Sequence, residues 1–205
     1  MIDSYLLTQL HLGCVRFNDR GYMVGFPCQN PDVVYRLLTV WDGTSYQRYL
    51  RADVPTELRQ TIKFLPDSVL RDHPQRVQAL LREHAVSADI FHGRAYIFPP
   101  QVADVAIDGV TYRDDKSTCQ IIEDGAVVSA CVSVRENAHA AEAWVYTEPT
   151  HRKQGYGRRV AQAWLQRIRA RDKVPFYSLK QDNHASQRLA EALDLRWIYD
   201  ITGFA

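Results

Sequence analysis

The segment from Ala141 to Arg171 constrains the fold of this 205-residue chain more than any other part of it. A β-rich run ends at Thr147, and Glu148-Pro149-Thr150 breaks it. The run Arg152-Lys153-Gln154-Gly155-Tyr156-Gly157 then leads into a stretch where apolar side chains recur at helical spacing. These apolar residues are Val160, Ala161, Trp164, Leu165 and Ile168. The pattern predicts a strand, a two-glycine loop and a helix that buries one face.

The sequence also predicts the elements on both sides of this segment. Asp124-Gly125 separates two β-rich runs and accepts the positive φ angles of a tight hairpin turn. The predicted elements are strands at Thr118–Glu123, Ala126–Arg135, Ala141–Thr147, Val174–Leu179 and Leu195–Ile201, and helices at Tyr156–Arg171 and Asn183–Leu193. This order of hairpin, strand, helix, strand, helix, strand predicts an α/β (α+β) fold.

Residues 1–100 contain separate local signals and no repeat. The predicted elements are a strand at Gly21–Phe26, an apolar run at Pro31–Trp41 that fits either strand or helix, helices starting at Pro55 and Asp72, and a strand at Ala95–Phe98. Pro99-Pro100 ends the last strand, so a lobe boundary is expected near residues 99–112. We expect an N-terminal lobe at 1–105 and a second domain at 106–205.

Composition excludes several classes of protein. No stretch approaches the roughly 20 apolar residues that span a bilayer, and the four cysteines form no C-x-x-C pair. Neither a disulfide scaffold nor a metal site is indicated. We expect a soluble cytoplasmic protein in which Cys119 and Cys131 are reduced packing residues, nearly opposite each other on paired strands.

The net charge of +1 hides an uneven distribution, because residues 151–173 carry +7 and the remainder carries −6. An anionic partner is therefore expected near the glycine loop. The first N–H groups of a helix lack internal acceptors, and its dipole attracts anions. Gly155 and Gly157 would let a phosphate approach these groups, with Arg152, Lys153 and Arg158 around the rim. P-loop and Rossmann motifs are absent, since Val160 occupies the place of a third glycine.

The run R-K-Q-G-Y-G after a strand resembles the R/Q-x-x-G-x-G/A signature of the GNAT-type N-acetyltransferase superfamily. The strand Glu142–Thr147 and the segment Phe176–Ser186 extend this resemblance, towards a bacterial GNAT subgroup, over about residues 117–203. The resemblance implies a mixed, mostly antiparallel sheet with splayed central parallel strands, flanked by helices. Residues 1–100 contribute little to the resemblance, and we expect this N-terminal α/β lobe to help to form the acceptor pocket.

The resemblance further implies an acyltransferase that moves an acetyl group from acetyl-CoA to a primary amine by direct attack in a ternary complex. Backbone groups of Val145, Tyr146 and Thr147 would pair with the pantetheine arm as if it were an extra strand. Asn183 and Ser186 would approach the arm from its other side. The cofactor-binding loop would comprise Arg152, Lys153, Gln154, Gly155, Tyr156, Gly157 and Arg158.

Attack on a thioester needs a deprotonated amine and a stabilised oxyanion. Glu142 is the first candidate for the general base and Glu148 is the second, because each carboxylate could accept a proton directly or through water. Backbone N–H groups near Tyr146 and Thr147 are candidates to stabilise the oxyanion. The base role requires Glu142 to face the cleft.

The departing thiolate needs a proton, and here the sequence departs from the family. Ala190 stands where a tyrosine is expected in many GNAT enzymes. Ser186 is a candidate for relaying a proton, and Tyr177 or Tyr199 could approach from neighbouring strands. The usual L-G-F ending of this helix is altered to Leu193-Asp194-Leu195.

Two other functions stay open. A GNAT-fold module that binds coenzyme A without catalysis would fit the missing tyrosine. A nucleic-acid-binding protein would fit the basic segment with its interleaved Tyr156 and Trp164, although Trp164 lies on the apolar face of its helix and is expected in the core. The sequence leaves the acceptor open among small molecules, peptide N-termini and lysine side chains.

Overall fold

The computed structural model describes residues 7–8, 11–12, 15–25, 35–84, 86, 89–100, 107–113 and 118–205. The strands are β1 (Arg16–Phe17), β2 (Met23–Gly25), β3 (Leu37–Trp41), β4 (Tyr46–Leu50), β5 (Ile90–Ile97), β6 (Thr111–Arg113), β7 (Thr118–Glu123), β8 (Ala126–Glu136), β9 (Ala140–Thr147), β10 (Val174–Lys180) and β11 (Arg196–Phe204). The helices are α1 (Thr56–Lys63), α2 (Asp67–Asp72), α3 (Pro74–Glu83), α4 (Tyr156–Arg169) and α5 (His184–Ala192).

The chain forms two compact units. The first comprises Met1–Gly13 with Ala95–Trp197, and the second comprises Cys14–Arg94 with Ile198–Ala205. The chain passes between the units within β5 and within β11. The boundaries of these units differ from those of the expected lobes, 1–105 and 106–205. The expected roles of the two lobes, in the acceptor pocket and in cofactor binding, stay predictions.

The first unit confirms the predicted order of elements from residue 118 onwards. Its strands are ordered β10-β9-β8-β7-β6. β9 and β10 are parallel, whereas the other neighbours are antiparallel. The predicted mixed, mostly antiparallel sheet is therefore confirmed.

The two parallel strands separate partway along their length. Their ladder runs from the pair Val174–Ala140 to the pair Tyr177–Ala143. β9 nevertheless continues to Thr147 and β10 to Lys180. The predicted splay of the central parallel strands therefore begins past Ala143 and Tyr177, a point that we call the ladder end.

Helix α4 packs on one face of this sheet. The five apolar side chains that the sequence placed on one helix face are all buried. They form a core with Cys119, Cys131, Ala141 and Ala143 from the strands. The indole N–H of Trp164 donates to Ser133 Oγ at 3.1 Å, so the buried ring keeps a polar partner.

The hairpin of β7 and β8 also follows the prediction. Asp124 (φ 49°) and Gly125 (φ 78°) both adopt the left-handed conformation that a two-residue hairpin turn requires. Cys119 and Cys131 lie directly opposite each other across the two strands, and both are free and buried. Burial raises the pKa of the Cys119 thiol to about 12, which fits the expected packing role.

The second unit contains the strand order β4-β3-β11-β5 and helices α1 to α3. The helix expected from Asp72 to about Glu83 is present as α3, although it begins two residues later, at Pro74, and the short helix α2 before it was not expected. Proline is favourable at the first helical position, where its missing N–H costs no hydrogen bond.

The ambiguous run at Pro31–Trp41 is a strand from Leu37, and residues 31–34 lie outside the described part. No helix of the described ranges is long and apolar enough to cross a membrane.

The altered ending of α5 has a clear backbone reason. Asp194 has φ 52°, the left-handed conformation that usually follows a helix as glycine. Asp194 N–H donates to Glu191 O at 3.0 Å, and Leu195 N–H donates to Ala190 O at 2.9 Å. This pair of bonds is a Schellman motif. The aspartate thus fills a position at which the conformation favours glycine.

We expect Asp194→Gly to raise the free energy of unfolding by about 0.5–1 kcal/mol, because glycine removes a left-handed strain of about 1–2 kcal/mol and loses part of this gain to entropy. Asp194→Ala should lower it. Urea denaturation followed by circular dichroism measures both changes. Equal stability of the glycine and alanine variants would contradict the strain argument.

Candidate active site

The glycine loop turns the chain sharply between β9 and α4. A short 3₁₀ turn at Pro149–His151 follows the strand, and Arg152 Nε donates to Thr147 O at 3.2 Å. Lys153 (φ 64°) and Gly155 (φ 79°) are both left-handed. A Cβ atom at Gly155 would meet nothing within 4 Å, so backbone conformation rather than space favours glycine there.

Gly157 has a different role. A Cβ atom at this position would lie 3.3 Å from Thr147 Oγ1 and 3.6 Å from Val145 Cγ1. Glycine therefore lets the first turn of α4 approach the end of β9 closely. From the sequence, both glycines are expected to let a phosphate approach the backbone N–H groups. In the structure, Gly157 also has a packing role.

The first turn of α4 has N–H groups available for a ligand. The N–H of Arg159 makes the first helical bond, to Gly155 O at 3.1 Å. The N–H groups of Tyr156, Gly157 and Arg158 precede it and so have no acceptor within the helix. The side chains of Arg152, Lys153 and Arg158 are exposed around this turn. Together with the helix dipole, they form a site suited to a phosphate or pyrophosphate.

Two side chains tie the loop to β7. The Tyr156 hydroxyl donates to Glu123, which raises the pKa of this phenol. His151 Nε2 lies 3.3 Å from the other carboxylate oxygen of Glu123. The Arg159 guanidinium covers the Tyr156 ring at 5.6 Å. The tyrosine of the R-K-Q-G-Y-G run is therefore an anchor for the loop.

The other basic residues of the +7 segment are mostly engaged within the first unit. Arg171 and Lys173 pair with Glu136 at 3.0 and 2.6 Å. Arg159 and Arg169 donate to the backbone carbonyls of Asp108 and Pro99, and Arg167 lies 5.0 Å from the Tyr112 ring. The excess positive charge is thus divided between internal contacts and the loop, and does not form one continuous patch.

The side chains of β9 alternate between two faces of the sheet. Val145 and Thr147 lie on the α4 side, against Gly157. Glu142, Trp144 and Tyr146 lie on the opposite face. Trp144 is 51% exposed and its ring is parallel to that of Tyr146, with centroids 6.0 Å apart. Tyr146 donates to Glu148, which raises the pKa of its phenol.

Glu142 is only 5% exposed and lies in a buried polar network. Its Oε2 accepts from Arg135 Nε, and its Oε1 accepts from the Ser178 hydroxyl. His11 Nε2 lies 3.2 Å from Glu142 Oε2 and 3.0 Å from Arg135 Nη2. The His11 ring stacks on Phe176, with centroids 4.6 Å apart and planes inclined by 9°. The network therefore connects β8, β9 and β10 with His11 on the face opposite α4.

The protonation states in this network follow from burial and neighbouring charge. Burial alone would raise the pKa of the Glu142 carboxyl, but the Arg135 guanidinium and the His11 ring together hold it well below its usual range. Burial lowers the pKa of His11. The Glu142 carboxylate opposes this decrease, and the Arg135 guanidinium adds to it. At neutral pH the network therefore contains an ionised glutamate and a neutral histidine.

On the α4 side of the ladder end, Tyr177 and Ser186 are joined by a side-chain hydrogen bond. Burial raises the pKa of the Tyr177 phenol, and the bond from Ser186 opposes this increase. The side-chain oxygen of Asn183 accepts from Ser186 N–H at 3.1 Å, which caps α5. Ala190 is buried one helical turn beyond Ser186. Tyr199 is buried in the second unit.

Three members of the polar network were missed by sequence reasoning: His11, Arg135 and Ser178. A β-bulge between Ser133 and Arg135 shifts the register so that Arg135 lies opposite Glu142. Simple alternation along β8 would have placed Val134 there. His11 is 131 positions from Glu142, and no periodic pattern signals that contact. In the described ranges, no group of three or more His, Cys, Asp or Glu side chains is placed to hold a metal ion.

Acidification should destabilise the protein through this network. In the folded protein the pKa values of His11 and Glu142 both lie below their ordinary values of 6.5 and 4.5. As the pH falls through each ordinary value, the unfolded chain therefore binds more protons than the folded one, and the folded state loses stability. We expect the Tm to fall between pH 7 and 5.5 less steeply in His11→Asn than in the parent protein. His139→Asn, at an exposed histidine, is the control and should keep the parent slope. Equal slopes in all three proteins would contradict the assignment.

Sequence and fold comparisons agree on one family. The family model described as GNAT acetyltransferase matches residues 111–202. A GNAT-family protein from Novosphingobium aromaticivorans is similar in structure, with a TM-score of 0.50 and 18% identity over 57% of this chain. The match covers 64% of that protein, less than two thirds of its length.

A GNAT-family acetyltransferase from Colwellia psychrerythraea is also similar in structure, with a TM-score of 0.52 and 12% identity. The match covers 92% of this chain and 78% of the Colwellia protein. A search of curated proteins finds no match to the chain. At these identities the solved structures support the fold alone. Residues 111–202 thus resemble the GNAT acetyltransferases in sequence, and the chain resembles members of that superfamily in fold.

Proposed function

We propose that this protein is an N-acetyltransferase that moves the acetyl group of acetyl-CoA to a primary amine by direct attack in a ternary complex. The family match and the fold suggest acyl transfer. The proposal of this donor and this reaction rests on one juxtaposition. The turn of α4 that is suited to an anion lies at one end of β9, and the ladder end lies a few residues earlier on the same strand.

The pyrophosphate of the cofactor would occupy the loop from Arg152 to Arg158. Its pantetheine arm would then follow β9 along Val145 to Thr147. On one side these residues pair with β8, through Cys131–Val145, Ala130–Tyr146 and Ser129–Thr147. On the other side β10 has diverged, so backbone groups there are open to the amides of the arm. Asn183 and Ser186 would border the arm from α5.

The thioester would lie at the ladder end, because the strands close there and the arm can go no further. This location places the Tyr177–Ser186 hydroxyl pair beside the departing sulfur on the α4 side. We propose that this pair supplies the proton to the thiolate in place of the tyrosine that Ala190 replaces. Ser186 keeps its predicted catalytic role in this arrangement, with Tyr177 as its partner. The role predicted for Tyr199 stays a prediction.

Glu142 stays the candidate base, although its environment restricts how it could act. Its carboxylate is buried and bonded to Arg135 and Ser178. An amine therefore could not reach it without a mediating group. Glu148, the second candidate, accepts from Tyr146 at the loop end of β9, farther along the strand from the ladder end.

Full engagement of Glu142 also favours a second candidate function, a module that binds coenzyme A without catalysis. Such a module would bind acetyl-CoA but would release no free thiol with any amine. Nucleic-acid binding has less support, because Trp164 is fully buried and Tyr156 is held by Glu123. Neither ring is available to stack on a base.

Acetyl-CoA should stabilise the protein against heat. At a ligand concentration of about 100 Kd, binding adds about 2.7 kcal/mol to the free energy of unfolding. This corresponds to a Tm increase of roughly 5–10 °C for a chain of this size. Differential scanning fluorimetry at millimolar acetyl-CoA measures the shift, and its absence in the parent protein would refute the proposed cofactor.

A matched pair of loop variants tests where the cofactor binds. Asn and Asp both tolerate the left-handed conformation of Gly155 and differ in charge. We expect Gly155→Asp to lose the thermal shift with acetyl-CoA, because its carboxylate would repel the pyrophosphate. Gly155→Asn should keep a larger part of the shift. An identical response of the two variants would place the phosphates elsewhere.

Removal of the hydroxyl pair should slow catalysis without weakening cofactor binding. A general acid contributes about 10²–10⁴-fold to a rate, so we expect Tyr177→Phe to lower kcat at least about 10-fold and Ser186→Ala to lower it less. The thermal shift with acetyl-CoA should be retained. Tyr112→Phe, at a half-exposed tyrosine remote from the ladder end, is the control. A parent-like kcat in Tyr177→Phe would exclude this acid.

A further inference from the structure

The network around Glu142 has two buried members, His11 and Glu142, and two partly buried members, Arg135 and Ser178. His11, Arg135 and Glu142 lie on the face of the sheet opposite α4, and their side chains are 2%, 14% and 6% exposed, respectively. Ser178 is half-buried and stands one residue past the ladder end on β10. Its hydroxyl donates to Glu142 Oε1. Ser178 is thus the partly buried member of the network that stands at the ladder end, next to the space between the splayed strands.

We propose that Ser178, Glu142 and His11 form a proton relay that takes the proton of the acceptor amine during acyl transfer, with Ser178 as its contact to the amine. The proposal rests on the proposed function and identifies a catalytic residue for it, Ser178. Glu142 and His11 act through Ser178, and Arg135 positions them.

The location of Ser178 supports this role. Tyr177 and Ser178 are consecutive residues of β10, so their side chains point to opposite faces of the sheet. The Tyr177–Ser186 pair lies on the α4 side and the Ser178–Glu142 pair on the other side, both at the ladder end. A thioester at this point would have a hydroxyl on each face. One could serve the departing sulfur and the other the attacking nitrogen.

The transfer balances with these groups. The amine nitrogen forms a bond to the thioester carbonyl carbon, and the bond from that carbon to sulfur breaks. The proton lost by nitrogen passes to Ser178 Oγ as the hydroxyl proton of Ser178 passes to Glu142. The thiolate takes the proton of the Tyr177 hydroxyl. The network gains one positive charge, Tyr177 gains one negative charge, and exchange with solvent restores both.

His11 provides the relay with a second acceptor beside Glu142. The pKa of the Glu142 carboxyl is held too low for that group to retain a proton near neutral pH. His11 Nε2 lies 3.2 Å from Glu142 Oε2, and a neutral imidazole can share the proton that reaches the carboxylate. The pair therefore titrates as one coupled group. Among the residues that the structure describes, the charged groups facing His11 include Arg135 on β8 and Glu142 on β9, and β10 contributes the Phe176 ring.

A purely structural network makes different predictions. Such a network would join β8, β9 and β10, and loss of any member would lower stability without altering the pH dependence of the reaction. Removal of Glu142 itself would leave Arg135 buried and unpaired and is expected to impair folding. Ser178 and His11 are the better positions for testing the relay.

The kinetic test uses the full-length protein, saturating acetyl-CoA and a panel of primary amines, with release of free thiol as the readout. For an amine accepted by the parent protein, we expect Ser178→Ala to lower kcat at least 10-fold, since a general base contributes about 10²–10⁴-fold. The KM for acetyl-CoA, measured separately at varied acetyl-CoA concentrations, should not change. Ser178→Thr, which keeps the hydroxyl, should restore kcat to within about 3-fold of the parent value.

A matched serine serves as the control for stability. Ser133 accepts from Trp164 on the α4 side of the sheet and also bonds to Glu136, so Ser133→Ala likewise removes side-chain hydrogen bonds. This variant should keep the parent kcat. In His11→Asn, the acidic limb of the plot of log kcat against pH should move from its position in the parent, because the final proton acceptor has been removed.

Nuclear magnetic resonance provides a readout that does not depend on activity. The ¹³Cε1–H signals of the seven histidines can be followed with pH, and His11→Asn assigns the His11 signal. In Ser178→Ala, Glu142 loses a donor and attracts the shared proton more strongly, so the His11 signal should titrate at higher pH. Ser133→Ala should leave the titration unchanged.

The outcomes separate the two proposals. If the parent acetylates no amine, the proposed function is refuted and the relay with it. If the parent is active and Ser178→Ala retains its kcat, or Ser178→Thr is as slow as Ser178→Ala, the relay alone is refuted. An unaltered His11 titration in Ser178→Ala would likewise overturn the coupling on which the relay depends.

Discussion

The early end of the ladder between β9 and β10 is the constraint on which the rest of the site depends. A parallel ladder normally satisfies the backbone groups of both strands, and here it stops at Ala143 and Tyr177 while both strands continue. Unpaired backbone groups are costly unless water or a ligand satisfies them. The opening is thus suited to an extended, amide-bearing molecule, and its closed end determines how far such a molecule can enter.

Different forces hold the two sides of this opening. On one side, α4 packs apolar side chains against the sheet, and Gly157 allows its first turn to approach Thr147 and Val145 closely. On the other side, ionic and hydrogen-bonding groups around Glu142 join β8, β9 and β10. A close-packed apolar interior and a buried ion pair both require defined geometry. Both sides therefore restrict the positions of the strands.

Sequence patterns predict the local parts of this arrangement and miss the long-range ones. Asp124-Gly125 gives the hairpin, and the spacing of Val160, Trp164 and Ile168 gives the buried face of α4. These features depend on neighbouring residues alone. The contact between Arg135 and Glu142 depends on a bulge that alternation along β8 does not reveal, and His11 comes from the other end of the chain. The partners of the candidate base therefore required the three-dimensional structure.

The origin of His11 has a consequence for how the protein can be divided. The sequence similarity to GNAT acetyltransferases covers residues 111–202, but the first compact unit also contains Met1–Gly13. A fragment cut at the limits of the similarity would lack the imidazole that stacks on Phe176, and water would enter beside the Arg135–Glu142 pair. The first compact unit is therefore larger than the region of sequence similarity, and a fragment meant to keep the polar network intact has to include His11.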